Sequence, residues 1–206
     1  MRPAVVGLEA AMRPREVVMD SPTSLSALAG EARRGDGGAA DRLWDGVRPR
    51  LLRIGLALGV PAADVPDLVQ DVLLAAHRGL RTFDPEKGSL EAWLGTILVR
   101  RARNLFRSGR RRRGFFARFP MLPARQATRG AIDAVEARLT LERLLTFLTE
   151  KQREVVALYE IGELSAEETG RLLDITAAGV RSIARDARIR LSEAAAGQRL
   201  SQEERR

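Results

Sequence analysis

Apolar residues recur every three or four positions along most of this chain, which is the spacing of one face of an α-helix. The spacing predicts four helices in the first half of the chain, over 24–34, 39–58, 64–81 and about 89–107. Turn signals such as Asp84-Pro85 separate these helices. Helical spacing resumes at Ile132 and continues almost to the C-terminus. The pattern therefore predicts an all-α fold.

The predicted helix over 64–81 has two faces. An apolar stripe that begins at Val65 is expected to be buried. Asp67, Asp71 and Leu74 fall on another face, at spacings of four and three residues. This helix is therefore expected to pack on one side and to present acidic groups on another.

The helical segments divide the chain into two small helical domains joined by a flexible basic linker, with the helix-turn-helix in the second domain. In order, we expect a flexible arm, a first domain, the linker, a second domain and a polar tail, at 1–22, 23–107, 108–138, 139–195 and 196–206. The linker is predicted because its glycines, prolines and arginine run show no sustained period.

Positive charge is concentrated in one stretch. Eleven arginines and no acidic residue lie between Glu91 and Asp133, whereas the whole chain has a net charge of +8. The remainder of the chain is therefore slightly acidic. Such a cationic segment suggests an extended polyanion as partner, because neutralised phosphates release counterions. A basic linker that only aids solubility is the alternative.

The segment from Ser165 to Leu191 has the pattern of a helix-turn-helix. Ser165 and Glu168 form a capping box that opens a short helix. Asp174 breaks that helix, and Thr176 can cap the next one, whose outward side is basic. This layout places the second helix in the major groove of DNA. An ordinary helical hairpin with a solvated polar face is the alternative.

Composition argues against several classes of function. The chain has no cysteine, so thiol nucleophiles, disulfides and thiolate metal sites are absent. His77 is the sole histidine and no phosphate-binding glycine motif occurs, so we expect neither an enzyme nor a metal or cofactor site. No apolar run is long enough to span a membrane, and the N-terminus is no convincing secretory signal. We therefore expect a cytoplasmic protein.

Two blocks of the sequence resemble a known family. LWDGVRPRLLRIGLAL, followed by DVPDLVQDVLLAAHRGLRTFDPEKGSLEAWL, is similar to the second conserved region of bacterial RNA polymerase sigma factors of the extracytoplasmic-function group. LTEKQREVVALYEIGELSAEETGRLLDITAAGVRSIARDARIRL is similar to the fourth region. The resemblance covers 24–107 and 139–193. It implies a promoter-specificity subunit that binds core polymerase and directs initiation at specific promoters.

The resemblance also implies how the chain would bind polymerase. In the family, the DLVQ helix binds the clamp coiled coil of the largest subunit of core RNA polymerase. Here that role falls on Asp67, Gln70, Asp71 and Leu74. Short acidic groups on one ridge suit a basic partner helix, since they steer the encounter.

A second role implied by the resemblance is capture of a flipped base of the minus-ten promoter element by the loop at 82–89, with the following helix along the same strand. The residues so assigned are Phe83, Lys87, Gly88, Ser89, Arg100, Arg101, Arg103, Asn104 and Arg107. The family often has Asn at the position of Arg100, which favours phosphate binding there. Trp93 could stack on a base, but its helical spacing favours the core.

The third implied role is contact with the minus-thirty-five element. The assigned residues are Arg153, Arg171, Thr176, Arg181, Ser182, Arg185 and Arg188. Glycine is usual where Asp174 stands, and Asp tolerates a left-handed backbone better than most residues. Many members of the family are held inactive by an anti-sigma protein, so such a partner is implied as well.

Two other functions stay open at this point. A conventional helix-turn-helix regulator would bind duplex DNA without polymerase. A helical adaptor would bind protein and use its arginines only for electrostatics. Charge reversal at Asp67 and Asp71 discriminates among them, because only the polymerase subunit would lose core binding.

Overall fold

The structure is a computed structural model that describes the backbone of residues 25–116 and 144–203 and the side chains of 25–107 and 144–196. Its α-helices are α1 (Leu25–Arg33), α2 (Gly37–Ala57), α3 (Val65–Gly79), α4 (Leu90–Phe116), α5 (Glu150–Val155), α6 (Ala166–Leu173) and α7 (Ala177–Glu203). A 3₁₀ turn (Leu80–Thr82) follows α3, and a π-helical turn (Val156–Ile161) follows α5. The predicted all-α fold is confirmed. The predicted arm and most of the predicted linker lie outside the described residues.

The N-terminal unit (25–116) is built around α2. Asp36 caps this helix by accepting a hydrogen bond from the backbone N–H of Ala39 at 3.0 Å. The predicted apolar stripe from Leu43 to Leu58 is buried, and α1, α3 and α4 pack around it. Each leucine so buried stabilises the fold by about 1.5–3 kcal/mol. Sequence periodicity therefore located the centre of this unit correctly.

Helix α4 carries the basic residues of the N-terminal unit. Ser89 accepts a hydrogen bond from the backbone N–H of Ala92 at 3.1 Å and caps the helix as predicted. The helix continues to Phe116, past the end that the sequence predicts near Arg107. Arginine is a good helix former, so a helix anchored by the buried Leu94 can extend through residues without an apolar period.

The C-terminal unit (144–203) contains the predicted helix-turn-helix. A capping box at Ser165 opens α6. Helix α6 ends at Asp174, whose backbone is left-handed, with φ 56° and ψ 52°. Thr176 accepts a hydrogen bond from the N–H of Gly179 at 3.0 Å and caps α7. The capping box, the left-handed turn and the second cap are all as predicted.

The two units pack directly against each other through one apolar core. On α4, Gly95 lies under three leucines of the C-terminal unit, Leu158, Leu164 and Leu172. A Cβ at Gly95 would lie 3.3 Å from Leu158 and 3.6 Å from Leu164, so glycine permits this close approach. The sequence predicts two domains, but the contact between them emerges only in the tertiary structure.

The single histidine of the chain lies against a tryptophan. His77 is exposed on α3, and its ring meets that of Trp44 edge-on, with the centroids 6.2 Å apart. Trp44 is buried, as predicted. Within 25–116 and 144–203, no group of three or more His, Cys, Asp or Glu is placed to hold a metal ion. None of the helices in those ranges has both the length and the apolar character needed to cross a membrane.

Candidate nucleic-acid and polymerase interfaces

An acidic ridge runs along the outer face of α3. Its members are the four residues that the sequence assigns to polymerase binding: Asp67, Gln70, Asp71 and Leu74. All four are exposed, and Leu74 keeps 44% of its surface in solvent. The opposite face of α3 is buried, as its apolar stripe predicts. Carboxylates beside an exposed leucine can bind a basic partner both by charge and by burial of apolar surface.

The capture loop (82–89) connects α3 to α4. Phe83 is buried, and its ring lies against that of Trp93, with the centroids 5.3 Å apart. Lys87 pairs with Asp84 at 3.1 Å. The hydrogen bond from Lys87, with one from a backbone N–H of the loop, lowers the pKa of Asp84 below its usual 3.8. These contacts shape the loop, so Phe83 forms a wall of it rather than a mobile side chain.

A cleft of about 460 Å³ lies between the capture loop and α6. Its lining residues are Thr82, Phe83, Asp84, Lys87, Gly88, Ser89, Ala92, Trp93, Thr96, Glu168, Arg171 and Leu172. All four loop residues assigned to the minus-ten element are among them. So is Arg171, which the sequence assigns to the minus-thirty-five element. The volume is typical of small-molecule sites and is ample for a nucleobase.

The basic residues of α4 differ in their surroundings. Arg100, Asn104 and Arg107 are exposed. Arg101 is half-buried and lies 3.4 Å from Asp71 of the acidic ridge, between Nη1 and Oδ2. This ion pair joins the acidic ridge to the residues assigned to minus-ten DNA.

Helix α7 presents the predicted basic face. The residues assigned there are all exposed: Arg181, Ser182, Arg185 and Arg188. The predicted inward seam is buried: Val180, Ala184, Ala187 and Leu191. Arg181 lies 3.7 Å from Glu167, and Arg188 pairs with Glu160. Both partners belong to the C-terminal unit, so the face keeps its orientation toward solvent.

Two family models match the chain. Sigma-70 region 2 matches residues 43–112, and Sigma-70, region 4, matches residues 138–191. RNA polymerase sigma factor CnrH of Cupriavidus metallidurans is 31% identical over 174 residues, which cover 80% of this chain and 91% of CnrH. ECF RNA polymerase sigma factor EcfG of Rhodopseudomonas palustris is 30% identical, with 70% of this chain and 78% of EcfG covered. The chain belongs to the extracytoplasmic-function group of the sigma-70 family.

Solved sigma factors share the fold of this one. CnrH in complex with the cytosolic domain of CnrY matches with a TM-score of 0.62 at 28% identity, over 81% of this chain and 94% of CnrH. RpoE in complex with the anti-sigma factor NepR from Bartonella quintana matches with a TM-score of 0.50 at 28% identity, over 71% of this chain and 90% of RpoE. Promoter-specific transcription initiation is the function of this family, and the two matched regions correspond to the two units.

Arg153 of this sigma factor lies between the units rather than on the basic face of α7. Its Nη1 donates a hydrogen bond to the backbone carbonyl of Leu145 at 3.3 Å. Its Cδ lies 3.6 Å from the position that a Cβ on Gly59 would occupy, and its Nε is buried without a hydrogen-bond partner. In this arrangement Arg153 packs the interface between the units, and its assignment to DNA stays a prediction.

Two carboxylates of the C-terminal unit reach residues that the sequence assigns to minus-ten DNA. Glu154 is only 5% exposed and accepts a hydrogen bond from Arg103 at 2.7 Å. That bond raises the pKa of the Arg103 guanidinium above its usual value. Glu168 accepts hydrogen bonds from both the backbone N–H and the Oγ of Ser89. Both carboxylates thus bridge the units.

Sequence reasoning identified Glu168 only as part of a capping box and did not single out Glu154. Burial raises the pKa of Glu168, but hydrogen bonds from Ser89 and Ser165 together outweigh it and hold the pKa below its usual 4.5. One signal for Glu154 was present: this carboxylate directly precedes the apolar run VVAL. A charged residue on a buried helix face needs a partner, and the partner is Arg103.

Proposed function

We propose that this sigma factor docks on core RNA polymerase through the acidic ridge, holds the minus-thirty-five element on α7 and opens DNA by trapping an unpaired minus-ten base. The observation that carries the proposal is the cleft beside the capture loop, where an aromatic wall and polar donors coincide. Trapping an unpaired base shifts the equilibrium toward melted DNA, so no catalytic step is needed.

The acidic ridge suits a basic helical partner, for which the clamp coiled coil of the largest polymerase subunit is the candidate. Asp67 and Asp71 lie one helical turn apart and are exposed. Leu74, one turn further along α3, offers apolar surface. Charge steers the encounter, and burial of the leucine adds contact that lasts after docking.

The cleft suits a single extruded base with its phosphates. Trp93 and Phe83 supply an aromatic surface, and stacking of a base on such a surface contributes about 1–3 kcal/mol. Lys87 is exposed beside the cleft and can neutralise a phosphate. The exposed Arg100 and Arg107 of α4 continue the cationic path along the same strand.

The basic face of α7 suits duplex DNA. Arginine there can bind guanine bidentately or hold phosphate, and Arg185 and Ser182 are exposed for that purpose. Arg171 is also exposed, but it lies on α6 beside the cleft. Two DNA elements held by one chain raise the effective concentration of the second site once the first is bound.

An anti-sigma protein is the proposed regulatory partner. The support is that the solved CnrH was captured with the cytosolic domain of CnrY, and the solved RpoE with the anti-sigma factor NepR. Their likeness to this chain includes both units. Such a partner would need to cover the acidic ridge, the basic face of α7, or both.

Reconstituted transcription with purified core polymerase on genomic DNA tests the proposal. We expect initiation at defined sites, mapped from the start points of transcripts. Trp93→Ala is expected to keep core binding and to lose strand opening, which permanganate reactivity of unpaired thymines measures. Trp93→Phe, which keeps an aromatic ring, is the matched control. Absence of core binding would contradict the assignment, and duplex binding without polymerase would instead indicate a conventional regulator.

A further inference from the structure

Two arginines on the basic face of α7 have carboxylate partners, and the two ion pairs differ in burial. Arg181 lies 3.7 Å from Glu167, and more than half of each side chain is exposed. Arg188 donates a hydrogen bond from Nη2 to Oε1 of Glu160, whose side chain is only 17% exposed. An exposed, long ion pair contributes little, whereas a charge-assisted hydrogen bond to a largely buried carboxylate is strong. Of these two arginines, Arg188 is therefore the one whose position is fixed.

Glu160 is itself held in place by the π-helical turn that follows α5. In this turn the backbone N–H of Gly162 bonds to the carbonyl of Ala157 at 2.9 Å, five residues back instead of four. Val156, in the same turn, is packed in the core that contains Ala187 of α7. Short π-helical segments are rare and are frequent at functional sites. The turn therefore fixes the carboxylate beside one stretch of α7.

Arg188 keeps most of its hydrogen-bonding capacity in this ion pair. A guanidinium has five N–H donors in one plane, and Glu160 accepts from Nη2. Because 55% of the Arg188 side chain is exposed, the remaining donors can meet DNA. A guanidinium that is already held loses less side-chain freedom on binding and accepts only partners in matching geometry. Such a group suits the paired acceptors N7 and O6 of guanine.

We propose that Glu160 is a positioning residue for promoter reading: it holds Arg188 so that the exposed donors of the guanidinium recognise guanine in the minus-thirty-five element. The inference rests on the proposed function, since it assumes that α7 lies on duplex DNA. Glu160 acts through Arg188 alone. Arg181, whose partner is exposed, supplies charge that does not depend on a fixed carboxylate.

Selection from a library of randomised duplexes tests the inference on the full chain bound to core polymerase. Bound duplexes are sequenced, which gives the base preference at each position. For the parent we expect a guanine preference of about tenfold at the position that Arg188 reads, which is typical of one bidentate arginine contact. Glu160→Ala should lose most of that preference and keep the preferences at the other positions. Its overall affinity should not fall, because a negative charge near phosphates is removed.

Arg188→Lys identifies the position that Arg188 reads. Lysine keeps the positive charge beside Glu160 but lacks the planar fork that matches guanine, so the same guanine preference should disappear. The double variant E160A/R188K should lose no more than either single variant, because both changes remove one interaction. Additive losses would mean that Glu160 acts independently of Arg188, which overturns the inference.

Glu167→Ala is the matched control. It removes a carboxylate that pairs with an arginine of the same face, but both partners are exposed. We expect every base preference to remain within about twofold of the parent, since an exposed pair does not fix its arginine. An equal loss of the guanine preference in this control would show a general charge effect and overturn the inference.

Two further measurements separate positioning from a structural role. Alanine at 160 leaves no buried charge unpaired, and Arg188 stays exposed, so the variant should fold, which calorimetry checks. Glu160→Gln keeps an oxygen acceptor at the same place and should retain part of the guanine preference. A structural role would instead weaken the preferences at all positions alike in E160A and E160Q, and that result overturns the inference.

The outcomes also separate this inference from the proposed function. Loss of guanine preference at one shared position in E160A and R188K, absent from E167A, supports the positioning role. A parent that enriches an element, with the same element enriched by E160A, overturns this inference alone. A parent holoenzyme that enriches no sequence contradicts the proposed function itself, and with it the role of Glu160.

Discussion

The two units of this sigma factor expose the residues assigned to DNA unequally. In the C-terminal unit, the basic face of α7 points to solvent. In the N-terminal unit, the capture loop faces α6, and Arg103 is bound to Glu154. The acidic ridge resembles the first case, since all its members are exposed. The contact between the units therefore borders the capture loop and leaves the acidic ridge and the basic face of α7 accessible.

The difference follows from how each surface is built. The arginines of α7 lie opposite a buried seam that contains Val180 and Ala184, so packing of the unit itself turns them outward. The capture loop directly precedes α4, and the close approach of Leu172 to Gly95 brings α6 against that helix. One surface is oriented by its own helix, whereas the other is covered by a neighbouring element.

Charge reversal on the acidic ridge is expected to have the largest effect, and the quantity that changes is the affinity for core polymerase. Asp67→Lys with Asp71→Lys should weaken core polymerase binding by roughly 10–100-fold, because it turns attraction to a basic partner into repulsion. Fluorescence anisotropy with labelled chain measures it. Asp41→Lys with Asp45→Lys, also exposed and four residues apart, is the control. Equal losses in both variants would mean that no specific ridge exists.

Removal of an exposed arginine from α7 should affect duplex DNA alone. Arg185→Ala is expected to weaken binding to a promoter duplex by about 1–3 kcal/mol and to leave core binding intact. Electrophoretic mobility shifts of the holoenzyme measure the change. Arg190→Ala removes the same charge from the same helix, but Arg190 donates to Gln152 at 3.4 Å inside the unit. Similar losses for the two would indicate bulk electrostatics instead of a recognition face.

Relief of the backbone strain at the turn of the helix-turn-helix tests whether the two units unfold in a single transition. Asp174 has φ 56°, a region that costs a non-glycine residue roughly 1–2 kcal/mol. Asp174→Gly should therefore stabilise the C-terminal unit and raise Tm by a few degrees in calorimetry. Asp186→Gly, within α7, should lower Tm, since glycine disfavours a helix. Two separate transitions, with only one shifted, would contradict a core shared by both units.

The pH dependence of stability is the smallest expected effect. The pKa of Glu168 lies below 4.5 in the folded chain, so its contribution is complete above that pH and is lost as pH falls through the lowered pKa. The free energies of unfolding of the parent and of Glu168→Gln should differ by the same amount at pH 7 and pH 5. The difference should shrink as the pH falls further, through the lowered pKa. Asp84, Lys87 and Arg171 line the same cleft in the parent and in Glu168→Gln. The two chains must therefore be compared with each other at each pH.

Sequence patterns were sufficient where a residue's role depends on its own helix. Periodicity located the buried stripe of α2 and the seam of α7, and local chemistry located the caps at Ser89 and Ser165. The left-handed turn at Asp174 followed from the same local reasoning. The family resemblance then assigned the exposed groups of α3 and α7. All of these depend on residues at most a few turns apart along the chain.

Sequence patterns could not predict where a helix ends, or which residue contacts which, when the answer depends on residues distant in the chain. Helix α4 runs to Phe116 because a packed helix can extend through arginines, which carry no apolar period. The pairing of Glu154 with Arg103 joins residues of different units, and Gly95 matters only because Leu158 approaches it. Long-range packing decides such contacts, since apolar periodicity shows which face is buried but not which element buries it.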